Sequence, residues 1–263
     1  MDLGIKGKVA LVAAASRGLG KAAAMELARE GARVVIAARG EEELGAAADE
    51  IRAATGAEVL PVPADVTKVA DIEALVGRAQ AEFDEVDILV NNAGGPRPGT
   101  FTDMTDEDWL TAINLNLMST VRLTRLVLPG MRRKGWGRLI NMTSISVKQP
   151  MANIILSNAA RSAVVAMAKT LSQQVAPDGI TVNNVCPGTI LTDRVRSLAA
   201  NTAQTQGISE EEALQGMQAD IPMGRIGRPE ELAALIAFLA SERASYITGT
   251  TIQVDGGVYR GLL

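Results

Sequence analysis

Three polar side chains are spaced so that they could act together on a carbonyl group. Ser157 and Arg161 are four residues apart in an Ala-rich stretch, so on a helix they would project from the same face. Ser144 precedes Ser157 by thirteen residues. A Ser hydroxyl can donate a hydrogen bond to a carbonyl oxygen, whereas a guanidinium stays charged and gives up no proton. These residues could therefore bind and polarise a carbonyl, but another group would have to supply a proton.

The composition excludes several other kinds of chemistry. The sequence contains no His, which excludes Ser-His-Asp triads, imidazole zinc sites and the commonest general base. The acidic residues form no cluster with ligand spacing, so we expect no metal. A net charge of −4 without clustered Lys and Arg predicts no binding to nucleic acid or to an anionic membrane.

The cellular setting follows from the termini and from Cys186. The first residues show no basic region followed by an apolar core, so we expect no signal peptide. The longest apolar run, Leu232–Ala240, is too short to span a bilayer. Cys186 is the single cysteine and lies in a strand-like segment, which favours a packed thiol in a reducing compartment. The sequence therefore predicts a cytoplasmic protein.

Short β-branched apolar runs alternate with longer helical stretches along all 263 residues. The predicted strands are Lys8–Ala13, Arg33–Ala37, Glu58–Val62, Val86–Val90, Arg138–Met142, Thr181–Val185 and Thr251–Val254. This alternation predicts the α/β class: one Rossmann-type domain over residues 1–263, with a doubly wound parallel sheet of about seven strands and helices on both faces.

Two segments carry more specific expectations. A helix is predicted from Thr105 to about Leu128, ending before Pro129, because an acidic first turn follows a capping Thr. Residues 189–228 interrupt the alternation with a mixed polar and apolar sequence. A long insertion of this kind before the last helix and strand predicts a lid over a substrate pocket.

A glycine-containing turn follows the first predicted strand. Gly18 and Gly20 would allow the backbone to approach a pyrophosphate at a helix N-terminus, where free N–H groups favour negative charge. Ala14 stands where the usual pattern has Gly. If that position requires a positive φ, Ala costs about 1 kcal/mol there.

Together with this turn, further motifs make the sequence similar to the short-chain dehydrogenase/reductase family, particularly to divergent 3-oxoacyl-carrier-protein reductase-like members. The resemblance extends from about Leu3 to Gly257. The matching segments, in chain order, are Ala13–Gly20, Asp65-Val66, Asn91-Asn-Ala-Gly94, Asn116-Leu117, Pro187-Gly188 with Thr192, Gly224–Glu231 and Gly249–Gly257.

The resemblance implies a nicotinamide dinucleotide cofactor. The cofactor-binding residues that it implies are Ser16, Arg17, Gly18, Leu19, Gly20, Arg39, Asp65, Val66, Asn92, Ala93, Gly94, Pro187, Gly188, Ile190 and Thr192. In the family an acidic residue at the end of the second strand binds a ribose 2′-OH, whereas this chain has Ala37-Ala38-Arg39 there and Arg17 in the glycine turn. Two guanidiniums suit a 2′-phosphate, so NADP(H) is favoured over NAD(H), although the acids that follow Gly40 argue mildly the other way.

The resemblance also implies the catalytic residues Asn116, Ser144, Ser157 and Arg161. In the family the last two positions hold the Tyr that acts as general acid and its neighbouring Lys. Here a water held by Asn116, Ser144 and Ser157 could deliver the proton, as could Lys148 if it turns inward. Tyr259 is a further possibility.

The resemblance implies an NADP(H)-dependent oxidoreductase with a non-standard proton donor, acting on a carbonyl/alcohol pair of a small-molecule substrate. Arg97 and Arg161 could fix an anionic group of that substrate. Two alternatives stay open: a nucleotide-binding protein or partner subunit without redox turnover, and a non-redox lyase or isomerase. The resemblance further implies a homotetramer, with a dimer as the alternative.

Overall fold

The computed structural model describes residues 2–262, and its centre is a seven-stranded sheet in which every strand pair is parallel. The strands are β1 Val9–Ala13, β2 Arg33–Ala38, β3 Val59–Pro63, β4 Ile88–Asn91, β5 Gly137–Met142, β6 Ile180–Pro187 and β7 Thr251–Val254. They lie in the order β3-β2-β1-β4-β5-β6-β7. The strand order reverses between β1 and β4, which is where open α/β sheets bind ligands beyond the carboxyl ends of their strands.

Helices cover both faces of the sheet. They are α1 Gly18–Arg29, α2 Glu41–Thr55, α3 Val69–Phe83, α4 Asp106–Ala112, α5 Ser119–Lys134, α6 Ile155–Val175, α7 Asp193–Gln206, α8 Glu210–Gln218 and α9 Pro229–Leu239. None of the helices within residues 2–262 combines the length and the apolar character needed to cross a bilayer. The predicted α/β Rossmann-type fold is confirmed.

Two hydrophobic cores hold these layers together. On one face, Leu27, Leu44 and Ile236 of α1, α2 and α9 pack on the sheet. On the other, residues of α3, α5 and α6 such as Ile72 and Leu123 do the same. All five residues of β1 are buried, as expected for a parallel strand covered on both sides. The carboxyl ends of β1 and β4 are therefore fixed relative to the helices that follow them.

The predicted helix from Thr105 to Leu128 is wrong in its interior and at its end. A π-helical turn, Ile113–Met118, separates α4 from α5, and α5 continues through Pro129 to Lys134. Pro removes one helical hydrogen bond, but both Pro129 and Arg125, whose carbonyl loses its partner, are exposed. Water can satisfy that carbonyl, so the proline is tolerated.

The insertion at residues 189–228 forms α7 and α8, which pack on each other through Ala199, Ala203 and Ala213. Its two ends are joined, because the Leu191 N–H donates to the Gly227 carbonyl at 2.8 Å. The insertion thus leaves and returns to the sheet at one point.

Candidate active site

The glycine turn after β1 brings the backbone of two segments into very close contact. Ala14 adopts φ +48° and Gly18 adopts φ +58°, so the strain foreseen for an alanine at position 14 is present. A Cβ on Gly20 would lie 2.2 Å from the Ala14 carbonyl oxygen. That oxygen also accepts a hydrogen bond from Asn92 Nδ2 at 3.2 Å, so only Gly fits at position 20.

The remaining residues of the turn surround the N-terminus of α1. Ser16 is half-buried, and Arg17 is exposed and extended just before the helix. Leu19 packs partly against the core. Free backbone N–H groups at such a helix start attract anions, so the turn has the shape and the polarity of a pyrophosphate site.

Arg39 and Asp65 meet beyond the carboxyl ends of β2 and β3. Burial tends to raise the pKa of Asp65, but hydrogen bonds from Thr67 and the charges of Arg39 and Lys68 outweigh it and lower the pKa. Val66 is buried beside Asp65. Arg39, Asp65 and Val66, three of the predicted cofactor-binding residues, therefore lie in one region of the structure.

Three asparagines tie the central strand ends together. Asn91 Nδ2 donates to Asn141 Oδ1 at 2.9 Å, and Asn141 Nδ2 donates to Asn184 Oδ1 at 2.9 Å. They occupy facing positions on β4, β5 and β6. This chain of buried amide hydrogen bonds stiffens the sheet beneath the site, although the Oδ1 of Asn91 has no hydrogen-bond partner within residues 2–262. The sequence offers no signal for this ladder without knowledge of the register.

Arg161 is buried and binds only backbone among residues 2–262. Its Nη1 donates to the carbonyls of Met142 and Thr143 at 3.0 and 3.1 Å, and its Nη2 donates to those of Ala93 and Gly94 at 3.2 and 3.4 Å. The guanidinium therefore joins the loop after β4 to the end of β5.

A small cavity lies above Arg161. Its volume is about 10 Å³, enough for one water molecule, and Asn116 and Thr143 are among its lining residues. Asn116 lies in the π-helical turn and donates to the Gly94 carbonyl at 3.0 Å. Its Oδ1 is buried without a hydrogen-bond partner in residues 2–262, so the cavity offers an acceptor to a small polar molecule.

The two predicted catalytic serines occur on neighbouring elements. Ser144 caps the short turn Ile145–Val147, and its Oγ accepts from the Ser146 N–H at 3.1 Å. That turn packs against α6, where Ser157 is buried one turn before Arg161. Within residues 2–262 the hydroxyl of Ser157 has no hydrogen-bond partner.

The loop after β6 crosses over the glycine turn. The Gly188 N–H donates to the Val254 carbonyl at 2.9 Å, and Pro187 ends the strand. Ile190 is buried. The side chain of Thr192 lies 3.6 Å from the position of a Cβ on Gly18, so this loop packs beside the glycine turn.

Cys186, just before this loop, is a packed thiol as predicted. It is buried, its Sγ lies 3.0 Å from Thr143 Oγ1, and burial raises the pKa of the thiol.

Arg97, which the sequence offered as a group to fix an anionic part of the substrate, is paired with Asp108. Its Nε and Nη2 bind the two carboxylate oxygens of Asp108, each at 2.8 Å. This hydrogen bonding lowers the pKa of Asp108. The sequence could not reveal the pair, because it depends on how the loop after β4 folds against α4.

Lys148 turns toward the C-terminal tail. Its Nζ lies 5.3 Å from the centre of the Tyr259 ring, and the Tyr259 N–H donates to Asp255 Oδ2 at 2.8 Å. Asp255 in turn packs against Gly188, where an added Cβ would lie 2.7 Å from the Asp255 Cβ. The tail thus lies beside the loop after β6.

Comparison with known proteins decides the family. The family described as enoyl-(acyl carrier protein) reductase matches residues 13–259. The 3-oxoacyl-[acyl-carrier-protein] reductase FabG of Escherichia coli is 39% identical over 257 residues, which cover 98% of this chain and 99% of that protein. The chain belongs to the short-chain dehydrogenase/reductase family.

Other relatives and solved structures agree. A putative ketoacyl reductase of Streptomyces coelicolor is 38% identical over 253 residues, which cover 95% of this dehydrogenase/reductase and 97% of the relative. The L-sorbose reductase of Gluconobacter frateurii, solved with NADPH and L-sorbose, superposes with a TM-score of 0.97 at 38% identity, covering 100% of both chains. An actinorhodin polyketide ketoreductase solved with NADPH superposes with a TM-score of 0.90 at 38% identity, covering 95% of this chain and 97% of that chain.

Sequence reasoning missed one side chain of this dehydrogenase/reductase that reaches the site. Arg194 is the second residue of α7, and its Nη1 lies 2.7 Å from the position of a Cβ on Gly95. Burial, and next the charge of Arg194, lower the pKa of Arg161 to about 10, so Arg161 stays protonated at neutral pH. No periodic pattern marks Arg194 in the sequence.

Proposed function

We propose that this dehydrogenase/reductase reduces a carbonyl group of a small molecule with NADPH. The observation that carries the proposal is the glycine turn at the N-terminus of α1, where only Gly fits beside the Ala14 carbonyl and where Thr192 of the loop after β6 lies next to Gly18. The two similar solved reductases described above contain NADPH. When bound, NADPH would supply the hydride.

Arg17 and Arg39 favour the phosphorylated cofactor. Both guanidiniums are exposed and have no ion-pair or hydrogen-bond partner within residues 2–262. A doubly charged 2′-phosphate can take several charge-assisted hydrogen bonds from such a pair. Ser16 and Asp65 would complete the adenosine side, and the rest of the cofactor would contact Asn92, Ala93, Gly94, Pro187, Gly188 and Ile190.

We assign the positions of the family's general-acid Tyr and its Lys to Ser157 and Arg161. The hydroxyls of Ser144 and Ser157 would donate hydrogen bonds to the substrate carbonyl oxygen. Arg161 would hold Gly94 and Thr143 in place, since its hydrogen bonds go to backbone carbonyls. It would not act as a proton donor.

The proton would reach the carbonyl oxygen through water next to Asn116. The cavity there accommodates one water molecule, and the unpaired Asn116 Oδ1 would orient it. Ser157 would pass the proton on to the substrate. The helix pair α7–α8 would form the lid above this site, because its entry loop already lies across Gly18.

A binding and turnover assay tests the proposed function. NADPH fluorescence is followed as purified protein is added, and NADPH oxidation is then measured with a broad panel of ketones. We expect binding and ketone-dependent oxidation. Binding without oxidation of NADPH by any ketone would favour the nucleotide-binding alternative, and conversion of a carbonyl compound without cofactor consumption would favour a lyase or isomerase.

A further inference from the structure

The guanidinium of Arg194 lies close to Gly95, in the loop after β4. Its Nη1, Nη2 and Cζ are 2.7, 3.1 and 3.2 Å from the position of a Cβ on Gly95. Gly95 follows Gly94, whose carbonyl accepts from Asn116 and Arg161. Arg194 of the proposed lid therefore contacts the loop after β4, whose Gly94 is bound by the predicted catalytic residues Asn116 and Arg161.

Positive charge accumulates here without a matching carboxylate. Arg161 and Arg194 are close enough for the charge of one to be felt by the other. Within residues 2–262, neither guanidinium has a carboxylate at ion-pair distance. Two neighbouring cations of this kind repel each other, and a bound anion would relieve the repulsion.

The other cations near the site are already engaged. Arg97 is held by Asp108, Arg161 by four backbone carbonyls, and Lys148 lies over the ring of Tyr259. The side chain of Arg194, by contrast, is exposed and makes no hydrogen bond in the described part of the chain. Its planar N–H donors are therefore available to a ligand.

We propose that Arg194 binds an anionic group, a carboxylate, carried by the carbonyl substrate. The inference rests on the proposed reductase function and names its substrate class as oxo acids. Arginine presents two parallel N–H donors that match a carboxylate. The pyrophosphate of the cofactor offers the same anionic oxygen chemistry, so the test has to separate these two sources.

The test compares oxo acids with their methyl esters as substrates. Steady-state kcat/KM is measured for each acid and ester in the wild-type chain and in Arg194→Gln. We expect the wild-type chain to prefer the acid, and Arg194→Gln to reduce the acid-to-ester ratio about 10- to 100-fold, mainly through KM, because a charge-assisted hydrogen-bond pair is lost. Arg194→Lys, which keeps the charge but loses the planar fork, should fall between the two.

Arg196→Gln is the matched control. It removes one exposed positive charge from the same helix, two residues further on, and should leave the acid-to-ester ratio unchanged. An equal loss in Arg196→Gln would reduce the effect to general electrostatics and overturn the proposal.

The dissociation constant of NADPH, followed by fluorescence, separates the two anion sources. It should change less than about twofold in Arg194→Gln, since the wild-type contact is with the substrate. A higher NADPH dissociation constant with an unchanged acid-to-ester ratio would assign Arg194 to the pyrophosphate and overturn the proposal. If the wild-type chain reduces neutral ketones but Arg194→Gln has the same acid-to-ester ratio of kcat/KM as the wild-type chain, the role proposed for Arg194 is wrong while the proposed reductase function stands. If no carbonyl compound oxidises NADPH, the proposed function itself fails.

Discussion

In the proposed site, Arg161 would shape the surroundings of the substrate without taking part in proton transfer, which would be left to hydroxyls and water. Its guanidinium is buried beneath the site, and its hydrogen bonds draw two strand ends together. Guanidinium is less strongly hydrated than ammonium and offers five donors in a plane. This explains why an Arg can occupy a position bordered by backbone carbonyls.

A double substitution tests this division of roles. Ser157→Tyr with Arg161→Lys supplies a phenol beside an ammonium, so we predict that kcat for ketone reduction rises by about 10²-fold or more, since a positioned general acid contributes on that order. The measurement is NADPH oxidation with one ketone under saturating cofactor.

Ser157→Phe with Arg161→Lys is the control, because it adds the ring without the hydroxyl. The account predicts no gain for this variant. A gain of the same size in both double variants would mean that packing, and not proton donation, limits turnover.

Cofactor selection can be tested at Arg39. We predict that Arg39→Gln raises the dissociation constant of NADPH about 10- to 100-fold and leaves that of NADH nearly unchanged, because only NADPH carries the 2′-phosphate. Fluorescence titration gives both constants. Arg29→Gln is the control, since Arg29 is paired with Glu26 near the other end of α1. Equal weakening of NADPH and NADH binding would contradict the assignment.

At the scale of elements, the π-helical turn and the glycine turn position the site. The turn Ile113–Met118 is closed by hydrogen bonds that span one residue more than those of an α-helix. Such π-helical turns are common where a helix carries a functional group. The hydroxyl of Thr120 donates to the Asn116 carbonyl at 3.0 Å, so part of the disturbed helical bonding is replaced. Asn116 is thereby directed toward Gly94.

The close contact at Gly20 makes a quantitative prediction. Gly20→Ala should lower the free energy of unfolding by about 1–3 kcal/mol, because the new Cβ would overlap the Ala14 carbonyl. It should also weaken NADPH binding, since the turn must shift. Chemical denaturation and fluorescence titration measure the two effects.

Gly77→Ala provides the contrast. Gly77 lies inside α3, where an added Cβ meets nothing within 4 Å. Alanine is favoured over glycine there by about 1 kcal/mol, so this variant should be more stable than the wild-type chain. If Gly20→Ala behaved like Gly77→Ala, the packing described for the turn would be wrong.

The sequence predicted the elements better than their side-chain partners. All seven strands were found because buried parallel strands are continuous apolar runs, and Gly18 and Gly20 were found because a tight turn needs them. The π-helical turn was missed because Ile113–Met118 has no distinctive pattern. The ion pair of Arg97 with Asp108 and the contact of Arg194 with Gly95 were missed, because both depend on loop geometry or on residues distant in the chain.

At the scale of the whole molecule, the large exposed apolar side chains stand out. Phe101, Leu110 and Met223 are each more than 60% exposed. Contiguous apolar patches often mark contacts between subunits, so these side chains are positions at which the homotetramer implied by the family resemblance can be tested. The oligomeric state itself stays a prediction.

Light scattering during size-exclusion chromatography tests that state. We predict a mass about four times the 27.6 kDa of one chain, as closed symmetric assemblies are the rule for such oligomers. Leu110→Asp should shift the distribution toward smaller species, whereas Arg52→Gln, on the exposed surface of α2, should not. A 27.6 kDa species for the wild-type chain at micromolar concentration would contradict the prediction.

Transfer of deuterium to the product from NADPH that carries deuterium at both C4 positions of the nicotinamide tests the central claim most directly. Mass spectrometry of the alcohol formed from a responsive ketone should show one deuterium on the former carbonyl carbon. The Ser144→Ala variant should form the same singly deuterated alcohol, but at a lower rate. A carbonyl compound converted without deuterium incorporation, or labelled NADPH that stays unoxidised with every ketone tested, would contradict the account of this protein as an NADPH-dependent reductase.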